Sequence, residues 1–183
     1  AVSPDEKSLL LTSLRETSWD IVRVPLDSPG VDRNYLNSPA VEGAARFSPD
    51  GRWVALTSNE SGRFEVYVRS FPDPSSKVQV SVAGGSVPSW SADGRHLYYR
   101  SGPSLLAARI SLTPTFSLLG RDTILTNARM TGSSFFGANY DVTKDGKRVL
   151  TAHSGADDVR LVISPNWLTE FRLILATGVD GWF

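Results

Sequence analysis

The groups able to do chemistry in this chain are its carboxylates, two histidines and scattered serines, so their spacing comes first. Asp5, Asp50, Asp93 and Asp145 hold the same slot in four related segments, with steps of 45, 43 and 52 residues. Loop carboxylates bind calcium when several oxygen ligands follow one another two residues apart. Here each slot offers one Asp, flanked by Ser, Pro, Lys or Ala. A lone turn Asp commonly satisfies backbone amides instead, so these four are expected to be structural. Asp157 and Asp158 stand near His153, a grouping that suits acid–base or metal work but is read here as a solvated loop. With only two histidines, a three-histidine zinc site cannot be built within the chain. The absence of cysteine removes disulfides and thiolate chemistry. A serine nucleophile would want G-x-S-x-G before a helix; the nearest string, Gly132-Ser133-Ser134-Phe135-Phe136-Gly137, has its second glycine displaced. Gly84-Gly85-Ser86 has no following Lys and no helix start, so it reads as a turn rather than a phosphate loop. Catalytic residues, metal and cofactor are therefore expected to be none.

The elements that carry these residues repeat. "VSPDEKSLLLTS" from Val2, "FSPDGRWVALTS" from Phe47, "WSADGRHLYYRS" from Trp90 and "VTKDGKRVLTAH" from Val142 align without gaps. A period of about 40–50 residues marks solenoids or propellers. Asp-Gly is a strong hairpin signal because the turn needs φ > 0. Gly51, Gly94 and Gly146 meet that need, and Glu6 replaces glycine in the first copy. An apolar triplet follows each turn: Leu9–Leu11, Val54–Leu56, Leu97–Tyr99 and Val149–Thr151. Successive strand residues face opposite ways, so such a triplet means burial on both faces, as between stacked blades. Third strands are expected at 20–24, 65–69, 105–110 and 159–164. Outer strands are expected at 77–82 and 122–126, and less clearly at 34–37. Four short antiparallel strands per repeat make a propeller blade. The fold class is all-β: a β-propeller with four recognisable four-stranded blades, over residues 1–38, 39–83, 84–127 and 128–164. In 165–183, Trp167, Phe171 and Leu175 lie four apart after Pro165, which favours a short C-terminal helix over an outer strand.

"FSPDGRWVALTSNESGRFEVYVRSFP" (47–72), followed by "GGSVPSWSADGRHLYYRSG" (84–102), resembles TolB-like, WD-repeat-like β-propellers. It is most similar to those at the C-termini of bacterial serine/threonine kinases of the eukaryotic type, where "NW" before a Phe or Leu helix, as in "NWLTEF", often closes the chain. The resemblance implies six to eight blades in a parent protein, and an extracytoplasmic, periplasmic setting. The present chain starts at Ala1 inside a repeat and is read as a piece of something longer. The remaining blades would come from the parent chain or from a second copy in a homodimer. The kinase signatures "HRD" and "DFG" are absent from it.

Charge and hydropathy narrow the partners. Lys plus Arg and Asp plus Glu both number 19, giving a net charge of zero, so no basic footprint for nucleic acid exists. No apolar run approaches the roughly 18 residues of a membrane helix, and no direct membrane contact is expected. Trp53, Trp90, Tyr98 and Tyr99 fall in strand slots and are expected in the core. Loops 15–19 and 59–64 are equivalent and share one rim, where propellers tolerate variation. Arg15, Glu16, Trp19, Asn59, Glu60 and Arg63 are the contact candidates there, with solvated loop as the plainer reading. Phe135 and Phe136, in the long insertion 127–139, are candidates for a binding patch or a channel plug. Three readings follow: a binding module for a protein, peptide or glycan; the gating propeller of an oligopeptidase-type hydrolase; and an assembly domain that oligomerises through open edges.

Overall fold

A computed structural model describes residues 1–15, 18–28, 33–126, 138–154 and 159–165. The C-terminal segment expected as a helix, loop 155–158, Glu16, Phe135 and Phe136 lie outside the described residues. Fourteen strands in four antiparallel sheets make up the described residues, and no helix occurs among them.

The sheets follow chain order. Blade one holds β1 (Ser8–Arg15), β2 (Ser18–Pro25) and β3 (Arg33–Leu36). Blade two holds β4 (Glu42–Phe47), β5 (Trp53–Ser58), β6 (Glu65–Ser70) and β7 (Lys77–Gln79). Blade three holds β8 (Ser86–Trp90), β9 (His96–Ser101), β10 (Ser104–Ser111) and β11 (Ser117–Thr126). Blade four holds β12 (Tyr140–Val142), β13 (Arg148–Ser154) and β14 (Val159–Pro165). Blades two and three carry the expected four strands, while the other two sheets have three each among the described residues. Strand expectations at 20–24, 65–69, 105–110 and 159–164 fall inside β2, β6, β10 and β14. The outer strand expected over 77–82 is shorter, because Val80 and Ser81 leave the ladder to bond with Val66.

Faces of neighbouring sheets form three cores. Leu10 and Ile21 meet Val54, Leu56 and Tyr67 between blades one and two. Ala55, Val66 and Val68 meet Leu97 and Tyr99 between blades two and three. Tyr98 and Leu105 meet Tyr140 and Val149 between blades three and four. The triplet logic is visible here: Ala55 packs forward, Val54 and Leu56 pack backward. Each fully buried aliphatic side chain of this kind stabilises by about 1.5–3 kcal/mol. Trp53, Tyr98 and Tyr99 are buried as expected; Trp90 is half-buried, packs on Phe116, and donates its Nε1–H to the Arg46 carbonyl at 3.0 Å.

The four turns share one hydrogen-bond set. The Ser3 carbonyl accepts the Glu6 N–H at 2.9 Å, and Ser48, Ser91 and Thr143 accept from Gly51, Gly94 and Gly146 at 2.9, 3.0 and 2.8 Å. Each hydroxyl also accepts the N–H five residues on, at 2.9–3.1 Å. The same hydroxyls donate to Asp5, Asp50, Asp93 and Asp145 at 2.5, 2.6, 2.7 and 2.5 Å. Each carboxylate then accepts the N–H two residues on, at 3.0–3.1 Å. The loop is wider than the two-residue turn that Asp-Gly signals: Ser48 pairs with Trp53 and four residues lie between. The left-handed residue closes it. Gly51, Gly94 and Gly146 have φ of 71°, 67° and 68°, and Glu6 adopts the same region at 57°.

Candidate binding surface

The paired ends of β1 and β2 at Arg15 and Ser18 and the β5–β6 loop from Asn59 to Phe64 occupy equivalent places in blades one and two. The second is braced internally. Asn59 Oδ1 accepts the Val41 N–H at 2.7 Å, tying the loop to the chain entering β4. Glu60 takes Arg69 and Lys77, both at 3.2 Å. Arg63 donates to Glu65 at 2.6 Å and also to the Val82 carbonyl. These three contact candidates therefore have intramolecular partners, and Arg63 still leaves 61% of its side chain exposed.

The residue that organises this end is Glu65, which sequence reading passed over. It is fully buried and accepts from the Ser81 hydroxyl, the Gly84 N–H at 3.0 Å and Arg63. Burial opposes its ionisation, but these donors outweigh that and hold the carboxyl below its ordinary value. It thereby fixes the turn Val82–Gly85 beside the rim loop. Gly85 is required there, since a Cβ would collide with the Ser81 side chain. Arg63 stands in the loop two residues before Glu65, which opens β6, and no strand periodicity links the two in the sequence. Phe64 projects between them, 40% exposed.

Trp19 and Arg15 are half-buried in blade one. Among the described residues the contact candidates do not line one common pocket. It places Trp19 in a cleft of about 410 Å³ between blades one and two, with Leu11, Thr12, Ala44, Ala45 and Arg46. Beside the same junction two buried carboxylates stand out. Glu42 accepts Ser38 Oγ at 2.7 Å, but its second oxygen and one oxygen of Asp20 have no hydrogen-bond partner. Burial pushes the Glu42 carboxyl up, and the nearby Asp20 charge adds to that. A second cleft of about 650 Å³ lies at the opposite end, between the Asp50 and Asp93 turns. There Asp50 pairs with Arg52 at 2.8 Å and Arg109 with Asp122 at 2.9 Å. Among the described residues no three His, Asp or Glu side chains converge as a metal site.

Antiparallel sheets of three or four strands among the described residues, each packed face to face on the next, give this chain a β-propeller fold like that of TolB. No protein-family model matches it. Among known proteins it is similar to an uncharacterised protein of Agrobacterium fabrum, 28% identical over 100 residues, or 54% of this chain and 34% of that one. In structure it is similar to TolB of Acinetobacter baumannii, with a TM-score of 0.66 and 20% identity over 90% of this chain and 39% of that one. The β-propeller domain of Swd1 from Myceliophthora thermophila aligns at a TM-score of 0.60 with 9% identity, over 88% and 52%. The chain thus spans about a third of the curated relative's length and about half or less of each structural neighbour's.

Proposed function

We propose that this chain is a non-enzymatic binding scaffold that recognises a protein or peptide through the rim carrying loops 15–19 and 59–64. The observation that carries the reading is the bracing of the 59–64 loop. Buried Glu65 and the Glu60 ion pairs fix its backbone, while Phe64 and the Arg63 head remain open to solvent. A preorganised loop loses little entropy on binding, and an aromatic beside an arginine is a favoured anchor pair. Rigid blades hold such loops in fixed relation.

The resemblance to kinase C-terminal propellers supports a more specific assignment, as the sensor end of a membrane-anchored kinase outside the cytoplasm. The test is a pull-down from lysate and envelope fractions with the wild-type chain and with Phe64→Ser, Arg63→Ser and Trp19→Ser. Loss of the same captured partners in the rim variants, with unchanged circular dichroism, supports the reading. Retention of every partner by all three variants refutes it.

A further inference from the structure

Arg63 is held by two bonds that use the same side of its guanidinium. Nε donates to Glu65 Oε1 at 2.6 Å, and Nη2 donates to the Val82 carbonyl. A guanidinium carries all its N–H donors in one plane, one on Nε and a pair on each terminal nitrogen. Nε and Nη2 share its long side, and the bonds to Glu65 and Val82 fill that side. The outer end keeps an N–H on Nη1 and another on Nη2, with no partner among the described residues. Such a pair matches the two oxygens of a carboxylate. The anchoring also lowers the cost of capture, because the side chain has already lost rotamer freedom that a loose arginine would lose on binding. With 61% of the side chain exposed, a ligand can reach that end.

The guanidinium bridges two segments, the β5–β6 loop and the turn Val82–Gly85. Each presents one apolar side chain to solvent: Phe64 is 40% exposed and Val82 57%. A Cβ added at Gly62 or at Gly84 would meet nothing within 4 Å, so both segments border open space. The carboxylates nearby are already engaged. Glu65 takes Ser81, Gly84 and Arg63, while Glu60 is shared by Arg69 and Lys77. Arg63, Arg69 and Lys77 thus outnumber Glu60 and Glu65, and the local charge favours an anionic ligand over a cationic one.

We propose, resting on the rim reading above, that the open end of Arg63 takes the side-chain carboxylate of an Asp or Glu inside an extended peptide whose apolar residues, two positions away on either side, cover Phe64 and Val82. Alternate residues of an extended chain share one face, which sets that spacing. The carboxylate of a chain end has residues on one side only and would leave one of the two apolar neighbours uncovered, so the paired flanks select an internal acid. Arg63 then determines the specificity of the rim, and Phe64 and Val82 supply apolar contact.

The probe is acetyl-Leu-Ser-Glu-Ser-Leu-amide, titrated into the isotope-labelled chain and followed by NMR. Amide signals of Gly62–Glu65 and Val82–Gly85 should shift together and give one dissociation constant. Replacing the peptide's Glu by Gln should weaken binding at least about fivefold, as loss of a doubly bonded carboxylate at a partly exposed site would. Arg63→Lys keeps a cation beside Glu65 but lacks the two-pronged end; it should weaken the Glu peptide by about the same factor and shrink the preference for Glu over Gln. Val82→Ser should weaken binding about two- to threefold with an unchanged melting temperature. Should Arg63→Lys fail to fold, the Glu and Gln peptides decide the matter on the wild-type chain. Equal affinity for those two peptides, or no shift at these amides with millimolar peptide, overturns the proposal. So does tighter binding of acetyl-Leu-Ser-Leu with a free terminal carboxylate, which would assign the site to a chain end. The pull-down separates this from the rim reading itself: partners lost from the rim variants without any preference for Glu remove the carboxylate alone, whereas retention of every partner removes the rim.

Discussion

Glu6→Gly should stabilise the protein. Three of the four turns place glycine at the left-handed position, and the first places Glu6 there at φ 57°. A left-handed L-residue is disfavoured by roughly 1–2 kcal/mol, because Cβ crowds the following carbonyl oxygen. Glycine removes that strain but has more unfolded-state freedom, which offsets about 0.5–1 kcal/mol. The Glu6 side chain is exposed and no hydrogen bond to it is seen, so nothing else is lost. The net expectation is a gain of about 0.5–1 kcal/mol. For a chain of this length that is about 1–4 °C in melting temperature. Urea unfolding of wild type, Glu6→Gly and Glu6→Ala measures it, with Glu6→Ala as the control that keeps Cβ and hence the strain. If alanine stabilises as much as glycine, or if glycine destabilises, then backbone strain at this turn is not what separates the first repeat from the others.

Ser48→Ala should destabilise by about 1–3 kcal/mol, because the buried hydroxyl accepts the Trp53 N–H and donates to Asp50; chemical denaturation would show it. Gly85→Ala should lower the melting temperature by several degrees, since its Cβ collides with Ser81 and displaces the donor to Glu65. The turn aspartates set an acid limit. Hydrogen bonds from Ser3 and Lys7, and from Thr143 and Lys147, hold the Asp5 and Asp145 carboxyls low. Burial opposes ionisation of Asp50 and Asp93, yet their turn donors bring them below the ordinary value too. Folded values below unfolded ones mean stability present above about pH 4 and lost as pH falls through the folded values. Melting temperature should therefore decline progressively below about pH 4, and replacing a turn Asp by Asn should flatten that decline. Glu42 has the opposite sign. Its raised carboxyl makes the charged form a liability at neutral pH, so Glu42→Gln should leave stability at pH 7 unchanged or higher, read by thermal melts at pH 5 and 7.

Much of the architecture was legible in one dimension. The S-x-D-G turns and apolar triplets are local signals. A left-handed residue and two-sided burial each leave a mark within a few positions: glycine stands at the turn in three of the four copies and a triplet follows every turn, although Leu11 and Leu150 in the first and last triplets stay exposed. Glu6 shows the reach of that logic: the turn survives without glycine because its serine, aspartate and backbone bonds are all in place. Tertiary structure decided what depends on residues far apart in the chain. Asn59, Glu60 and Arg63 looked like free polar groups, and only the fold shows that Val41, Arg69, Lys77 and Val82 engage them. Glu65 reads as an ordinary strand-start carboxylate until Ser81 and Gly84, sixteen and nineteen residues on, close around it. Those contacts can be read only in space, since a pattern of side chains along the chain does not say which polar groups already have partners.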